Sequence, residues 1–542
     1  MQQLLDAVST AAEWIGLRFN AKKCATLCLE KKKAIAVNTH VQGDIIGHLS
    51  DGETYQHLGV PTGFRADQTP SETIERMLLD IHSVEKSLLA PWQKLDALRT
   101  FVVPQIQFAL QTALIQKTSL AEVDRQIKRV AKGALHLPRR ASPEVVFLPT
   151  YQGGANILPL ADLADISAVT HAFRLLTSPD PAVSTVAELS LKRTASKYLN
   201  SNAGWDDAAA YLSGVNIRNT SAFATIWSHA RSATKRLTSK IPGIHWSWCE
   251  ERSTICIQWP TPDREPDRIV VEAEARKALQ SSMRREIQNF YRRSLLAKPD
   301  QGKVYEAAQL HPASNHFLRD GRNTRFCDWR FIHRARLGVL PLNACLRFKS
   351  RDQNRTKQCR RCRKEDETTA HVLNHCMLHS RAYNNRHRSV LHNLVTHMQS
   401  TKNLRIERAV PEADSRLMPD LVVIDNDRKL AIIVDVACPF DNRQDAFLEK
   451  RNEKISKYTP ICNILKTKGY RAIVDAVLVG SLGSWDPANF QALNLLGIPK
   501  HKKEHLIRKS ISDVIRWSRD VYVEHMCGHR QYSKDVVLDL KQ

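Results

Sequence analysis

Apolar positions with a helical period run through most of the chain. The first such stretch, within residues 3–19, stops at Gly16. Residues 69–72, TPSE, have the spacing of a capping box with Thr69 as the cap. They precede an amphipathic pattern at Ile74, Met77, Ile81, Val84 and Leu88. Helical periodicity dominates to about residue 240 and returns at 271–297 and 380–398, so these segments are predicted to be helices.

A different pattern begins after residue 400. The apolar runs LVVI, KLAIIVDVA and RAIVDAVLVG are typical of buried strands, and a DNDR turn separates the first two. A helix is predicted at 445–458 and a terminal helix at 503–526. A shorter β-like patch spans Trp246–Trp259. With 542 residues, the chain is long enough for about three or four domains, and the fold class is predicted to be α+β and multidomain.

The net positive charge of the chain indicates what kind of partner it binds. The chain has 80 Lys and Arg against 56 Asp and Glu, a formal net charge of +24. Such an excess favours a polyanionic partner, above all nucleic acid. No run of about 18 apolar residues could cross a bilayer, and MQQLLDAVSTAAEW does not have the pattern of a signal peptide. The protein is therefore expected to be intracellular and not bound to membranes.

A basic run lies next to a cluster of cysteines. Between residues 347 and 364 there are nine basic residues and one acid, a density that predicts contact with phosphates rather than a solvated surface. The nine are Arg347, Lys349, Arg351, Arg355, Lys357, Arg360, Arg361, Arg363 and Lys364.

The cysteines themselves have the spacing of metal ligands. Cys359, Cys362, His371 and Cys376 form C-x2-C-x8-H-x4-C, a set that can close a tetrahedron around Zn²⁺ in a structural site. His375 and His379 are alternatives to His371 that the sequence leaves open. The alternative interpretation is that these four residues bind no metal and are reduced side chains on a basic helix.

Two aspartates carry the sharper chemical hypothesis. Asp420 opens the LVVI strand and Asp435 lies near the end of KLAIIVDVA, and the midpoint between them falls within the turn. An antiparallel hairpin would therefore bring the two carboxylates together at its open end, where they could bind Mg²⁺. Lys454 and Tyr458 share one face of the following helix, with Lys457 as the alternative lysine. The alternative interpretation is that both aspartates only cap strand ends and bind no metal.

These parts, in this order, resemble the C-terminal half of the Pol polyprotein of site-specific non-LTR retrotransposons that carry a restriction-like endonuclease. EWIGLRFNAKKC resembles a late palm motif of a reverse transcriptase, through Gly16, Asn20 and Lys23. YQHLGVP resembles the primer grip, at Leu58 and Gly59. PDLVV, VDVA and EKISKY resemble the family's endonuclease, which implies catalytic roles for Asp420, Asp435, Lys454 and Tyr458.

The resemblance implies five domains. They are a palm remnant at 1–66, a helical thumb at 67–180, a helical and basic linker at 181–345, the basic run with a CCHC zinc knuckle at 346–400, and an α/β restriction-like nuclease of the PD-(D/E)xK type at 401–542. Target DNA, including ribosomal RNA genes, and the element's RNA are the implied partners, with room for two copies on one DNA target. The implied location is the nucleus.

The implied activity is Mg²⁺-dependent nicking of DNA that primes reverse transcription. The polymerase's aspartates would lie before Met1, so the chain is expected to be either a fragment or a truncated copy, and not to polymerise as it stands. Met418 departs from the family, which usually has Lys or Arg at this position. Ala437 stands where many restriction-type nucleases have lysine, which fits the family's relocated lysine on the next helix. Two alternatives stay open, a catalytically dead zinc-dependent DNA- or RNA-binding protein and a scaffold of an RNA complex.

Overall fold

A computed structural model describes residues 1–31, 33–57, 59–215, 225–260, 268–347, 356–399, 403–413 and 415–532. Its fold is mixed α/β and forms two compact units. The first comprises Met1–Ser87, Ala97–Ile127 and Leu158–Phe290, and the second comprises Leu88–Asp96, Lys128–Ile157 and Tyr291–Gln542. The division into five domains stays a prediction. Within the described ranges, no helix is both long and apolar enough to cross a membrane.

The chain begins with one helix and a series of short strands. In order these are α1 (Gln2–Trp14), β1 (Ala25–Thr26), β2 (Cys28–Glu30), β3 (Lys33–Ile35), β4 (Thr39–Val41), β5 (Asp44–His48), β6 (Tyr55–His57) and β7 (Val60–Thr62). β5 pairs with β1 and β4, whereas β2 with β3 and β6 with β7 form separate hairpins.

Helices dominate the next part, as the apolar period predicts. They are α2 (Ser71–Lys86), α3 (Pro91–Ala97), α4 (Gln107–Thr112), α5 (Lys117–Ala134), α6 (Glu144–Phe147), α7 (Leu160–Leu176), α8 (Pro181–Leu199), α9 (Trp205–Ser213) and α10 (Ile226–Leu237). The predicted Thr69 cap is wrong: α2 has Pro70 as its N-cap and no side-chain cap. Instead, the N–H of Thr69 donates to Oδ1 of Asp67 over 2.9 Å, which forms a local turn before the helix.

An antiparallel sheet of three strands follows, with β9 between its two partners. The strands are β8 (His245–Cys249), β9 (Thr254–Pro260) and β10 (Arg268–Val271). The predicted β-like patch is confirmed as β8 and β9. The helix predicted at 271–297 is shorter, because residue 271 belongs to β10 and helix α11 covers only Leu279–Leu296.

The second unit ends in a sheet flanked by long helices. Its elements after α11 are α12 (Lys303–Ala308), α13 (Phe317–Asp320), α14 (Phe326–Arg336), α15 (Asn343–Arg347), α16 (Ser380–His397), β11 (Leu404–Ile406), β12 (Leu421–Asp425), β13 (Leu430–Ala437), α17 (Asp445–Thr467), β14 (Arg471–Leu478), α18 (Asn489–Leu495) and α19 (Lys500–Cys527). The strand order is β11-β12-β13-β14, and β14 runs parallel to β13. Because parallel neighbours need a crossover, α17 connects them across one face.

The core of this sheet lies against α17. It contains Val410, Ala413, Val422, Ile424, Ala431, Ile433, Tyr458, Ile461, Cys462, Leu465 and Ala472. Because side chains alternate along a strand, Asp435 continues the series of Ala431 and Ile433 toward α17. The helix predicted at 445–458 extends to Thr467 with Pro460 inside it.

Candidate functional site

Two aspartates meet at the open end of the β12–β13 hairpin. Leu421 pairs with Val434 in the register, so Asp420, one residue before β12, lies opposite Asp435. The N–H of Val436 donates to Oδ2 of Asp420 over 2.6 Å. Directly opposed residues of an antiparallel pair present their side chains on one face. The hairpin therefore places both carboxyl groups at one edge, as the position of the turn predicts.

Helix α17 brings a lysine to this pair. Nζ of Lys454 lies 2.6 Å from Oδ2 of Asp435, and the two side chains are 18% and 2% exposed. Tyr458, one turn later, donates its hydroxyl to the carbonyl of Met418 over 3.3 Å. Lys457 instead lies over the Tyr458 ring, 4.8 Å from its centroid. Lys454, and not Lys457, is thus the lysine that pairs with Asp435, and its catalytic role stays a prediction.

The two carboxyl groups differ in their electrostatic environment. Burial raises the pKa of Asp435, the negative charge of Asp420 raises it further, and Lys454 offsets only part of this effect. For Asp420, burial also acts to raise the pKa, but His387, the Val436 N–H and Lys454 outweigh it and leave the pKa lowered. A buried pair of like charges is costly, and a divalent cation between carboxylate oxygens would remove that cost.

A histidine from α16 also reaches the pair. Nε2 of His387 lies 3.0 Å from Oδ2 of Asp420 and 3.1 Å from the carbonyl of Val436. Burial acts to lower the pKa of His387, but the hydrogen bond to Asp420 and that residue's charge raise it overall. The sequence alone does not single out His387, because it is one of three histidines on a basic helix and its spacing to the aspartates is not distinctive.

A buried arginine fixes α17 to the neighbouring strand. Nη1 of Arg451 donates to Oδ1 of Asp475 over 2.6 Å and to the carbonyl of Ala476 over 2.7 Å. Its Nη2 donates to Oδ2 of Asp486 over 2.8 Å and to Oδ1 of Asn489 over 2.7 Å. Since Lys454 is one turn further along α17, this network sets the position of the lysine against Asp435.

Replacement of Arg451 by methionine is expected to lower the free energy of unfolding by about 3–5 kcal/mol, because it leaves two buried carboxylates without their cation. Urea denaturation followed by circular dichroism measures the change. The matched control is Arg428→Met, since the Arg428 side chain is 82% exposed and 3.8 Å from Asp425. That change should cost less than about 1 kcal/mol, and equal effects of the two variants would contradict the role given to the network.

The four predicted zinc ligands come together. One ligand atom from each of Cys359, Cys362, His371 and Cys376 lies within 4.8 Å of every other. Nε2 of His371 is 3.3 Å from Sγ of Cys362. The N–H of Cys376 donates to the carbonyl of His371 over 2.8 Å, and this π-helical turn brings the last two ligands together. The cluster could hold a metal such as zinc, since its donors are those that zinc prefers.

The two alternative histidines have other surroundings. Nε2 of His379 lies 3.0 Å from Nδ1 of His525, and His379 forms a second group with Cys376 and His525. Among the described residues, His375 joins no group of this kind. Burial and the neighbouring thiols raise the pKa of Cys376 to about 12. Because only His371 of the three histidines is grouped with all three cysteines, the geometry of the described residues favours His371 as the fourth ligand.

A buried acid that spacing did not predict lies next to the cysteine cluster, where it is grouped with Cys359 and His525. Glu367 is fully buried and accepts from Nε of Arg360 over 2.7 Å and from His525 of α19 over 2.8 Å. The Nε of Arg361 donates to the carbonyl of His525 over 2.7 Å. Arg360 and Arg361 therefore have structural roles here, and their contact with phosphate stays a prediction.

The rest of the basic run is described in part. Lys349, Arg351 and Arg355 lie outside the described residues, as does the side chain of Arg347. Lys357 is partly buried, whereas Arg363 and Lys364 are exposed beside the cysteines. Contact of these residues with nucleic acid stays a prediction.

The residues that resemble polymerase motifs belong to the first unit. Gly16 follows α1 with φ at 72°, and Gly59 lies in the β6–β7 turn with φ at 81°. The carbonyl of Asn20 accepts from the N–H of Lys23 over 2.9 Å in a short helical turn. Leu58 lies outside the described residues. Their part in polymerisation stays a prediction.

Known proteins match this chain in two ways. A family model described as the T26G10.4 domain matches residues 166–339. The uncharacterized protein T26G10.4 of Caenorhabditis elegans is 25% identical over 338 residues, which cover 60% of this chain and 95% of that protein. That relative's name states no activity.

Pol polyproteins of R2 retrotransposable elements match shorter stretches. The type-1 R2 polyprotein of Popillia japonica is 28% identical over 183 residues, 32% of this chain and 37% of that protein. The type-2 R2DM polyprotein of Drosophila melanogaster is 29% identical over 166 residues, 29% of this chain and 15% of that protein. The chain is related to R2 non-LTR elements, and it spans well under half of these polyproteins.

Proposed function

We propose that the second unit nicks DNA with a restriction-like active site that depends on Mg²⁺. The observation that carries this proposal is the meeting of Asp420, Asp435 and Lys454 at one edge of a sheet, with Lys454 2.6 Å from Asp435. The relation to Pol polyproteins of R2 retrotransposable elements supports a function in the processing of nucleic acids. The architecture around β12–β14 would then be a PD-(D/E)xK-type nuclease.

Asp420 and Asp435 would hold the cation through carboxylate oxygens, the donors that Mg²⁺ prefers. When bound, Mg²⁺ would lower the pKa of a water molecule and offset negative charge on the scissile phosphate. With the cation bound to Asp435, the Lys454 ammonium group would no longer be needed to balance that carboxylate. It would then be available to the substrate.

Lys454 would then orient the attacking water and stabilise the charge that develops on the phosphate. Tyr458 would act on the protein rather than on the DNA. Its hydroxyl binds the carbonyl of Met418, two residues before Asp420, and its ring lies in the core of the sheet. It would therefore fix the segment that carries the first acid.

The cysteine cluster would be a structural zinc knuckle. With Cys359, Cys362, His371 and Cys376 as ligands, all four positions of a tetrahedral ion come from the protein. Its place next to Arg363 and Lys364 supports a role in holding the basic run against a phosphate backbone.

In the full Pol polyprotein, the nick's 3′-hydroxyl would prime reverse transcription of the element's RNA. Target DNA, including ribosomal RNA genes, and element RNA would be the partners, and two copies could share one target. The site of action would be the nucleus. This chain would contribute the nick and nucleic-acid binding to that process.

The direct test is nicking of supercoiled plasmid by the full chain in Mg²⁺, with Asp420→Ala as the comparison. We expect open circles from the wild type and none from the variant, with equal DNA affinity in a gel-shift assay. Binding by both proteins with nicking by neither, and loss of binding after zinc is removed with a chelator, would instead establish the alternative function, a zinc-dependent nucleic-acid-binding protein. Binding by neither would reject both.

Replacement of Lys454 by methionine is expected to slow nicking about 100-fold, because it removes a cation aimed at the reacting phosphate. Single-turnover nicking rates at saturating Mg²⁺ measure the effect. The matched control is Lys450→Met on the same helix, since Lys450 pairs with Glu453 over 2.7 Å and not with the aspartates. A similar loss in both variants would show a general charge effect and contradict the role of Lys454.

A further inference from the structure

Helix α16 follows the cysteine cluster in sequence and reaches the open end of the hairpin through His387. Its Nε2 lies 3.0 Å from Oδ2 of Asp420 and 3.1 Å from the carbonyl oxygen of Val436. Asp420 precedes β12 and Val436 is in β13, so one imidazole bridges the ends of both strands. The His387 side chain is 26% exposed, which places it at the rim of the site and not on the outer surface.

The chemistry of these two contacts fixes the role of the ring nitrogen. A carboxylate oxygen and a carbonyl oxygen are both acceptors, so Nε2 of His387 must carry a proton and donate. Nδ1 lies on the other side of the ring. His387 is thus a donor to Asp420 and cannot offer Nε2 to a metal ion while these bonds exist.

Oδ2 of Asp420 consequently has two donors. The N–H of Val436 approaches it at 2.6 Å and His387 at 3.0 Å. Two donors from different elements fix the rotation of the carboxylate, so that Oδ1 is the oxygen oriented for a cation. In metal sites, groups that orient a ligand in this way set much of the metal affinity.

The same helix holds the neighbouring segment. Arg388 pairs with Glu407 over 2.9 Å, and the N–H of Glu407 donates to the carbonyl of Asp420 over 3.0 Å. Ligand atoms of His387, Glu407 and Asp420 lie within 4.8 Å of one another. Successive residues of α16 therefore control the side chain and the backbone of the first acid.

We infer that His387 is a positioning residue of the nuclease, which orients Asp420 for the divalent cation. The inference rests on the proposed function for its consequence in catalysis, but its effect on cation affinity is separable. It also gives the helix that follows the cysteine cluster a direct part in the nuclease site.

The test compares His387→Leu with His387→Gln in the full chain. Leucine removes the donor, whereas the glutamine amide can place an N–H near the position of Nε2. We expect the Mg²⁺ concentration for half-maximal nicking to rise about 10- to 100-fold in His387→Leu. In His387→Gln it should stay within about threefold of the wild type, with DNA affinity unchanged in both.

The matched control is His392→Leu, which removes another imidazole of α16, one that makes no hydrogen bond with Asp420 among the described contacts. It should leave the Mg²⁺ dependence unchanged. An unchanged half-saturation in His387→Leu would overturn the inference. Equal defects in the leucine and glutamine variants would also overturn it, because a bulk packing role predicts that result.

Binding of Mn²⁺, followed by electron paramagnetic resonance without DNA, separates this inference from the proposed function. We expect weaker Mn²⁺ binding in His387→Leu than in the wild type and His387→Gln, whether or not the wild type nicks plasmid. Absence of nicking with this order of affinities would reject the nuclease and keep the positioning role. Equal Mn²⁺ affinity in all three would reject the positioning role.

Discussion

Replacement of Asp435 by asparagine is expected to slow plasmid nicking at least about 1000-fold. The amide keeps the size of the side chain and can still accept a hydrogen bond from Lys454, but it cannot supply the negative charge that a divalent cation needs. Single-turnover nicking in Mg²⁺ measures the loss. DNA affinity without Mg²⁺ should stay within a few-fold of the wild type.

The same variant should be as stable as the wild type or more stable at neutral pH. The pKa of Asp435 is raised in the folded state by burial and by Asp420. The folded protein therefore binds a proton more readily than the unfolded chain, and stability falls as pH rises from the unfolded pKa through the raised value. Asparagine removes this loss, which thermal unfolding at neutral pH would reveal.

The matched control for Asp435 lies at the other end of the same hairpin. Asp427 is exposed in the turn, so Asp427→Asn should nick DNA at the wild-type rate. If Asp435→Asn retained more than about a tenth of the activity, or if Asp427→Asn lost as much as Asp435→Asn, the assignment of the acid pair would fail.

Loss of a cysteine ligand is the second large effect that we expect. Cys376→Ser should weaken zinc binding at least about 100-fold, since even the loss of a group that only orients a ligand costs about 10- to 100-fold. The four ligands tie a turn at residues 359–365 to the π-helical turn His371–His375 and Cys376, so the cluster should lose its fold with the metal. Zinc content by mass spectrometry and thermal unfolding measure both effects.

Cys327→Ser provides the comparison for this variant. Cys327 is exposed and belongs to none of the metal-binding groups of the described residues, so its loss should leave one zinc per chain and an unchanged melting temperature. The prediction of a zinc knuckle would be contradicted if the wild-type protein purified without zinc and a chelator did not change its melting temperature.

The hairpin was predictable because its signals are local. Two apolar runs and a DNDR turn determine the register, and that register alone places residue 420 opposite residue 435. The cysteine spacing also predicted a local cluster, because its four residues are close in sequence. Only the structure distinguishes His371 from His375 and His379. Contacts within about 20 residues of sequence can be read from spacing and turn chemistry.

The parts that sequence could not predict depend on contacts between distant residues. His387 meets Asp420 only because α16 packs beside the sheet, and Glu367 meets His525 across 158 residues. Arg451 contacts Asp475 and Asp486 only because α17 crosses over the sheet between β13 and β14. Nothing in the local pattern separates these residues from exposed ones of the same type.

Two boundaries show tertiary packing overriding local signals. Proline usually ends a helix, yet α17 continues past Pro460 because Ile461, Cys462 and Leu465 fill the core under the sheet. Similarly, Val271 ends β10 and pairs with Ile257 of β9, whereas the predicted helix begins at residue 271. In both cases burial against a sheet outweighs propensity.

In the proposed nuclease site, Asp420 and Asp435 share a divalent cation. Anomalous diffraction from crystals of the full chain grown with Mn²⁺ tests it most directly. We expect a peak at about 2.0–2.2 Å from an oxygen of each carboxylate, the distance range of small hard cations, and no peak there in Asp435→Asn. Manganese bound elsewhere, with the aspartates still occupied by Lys454 and His387, would contradict the account.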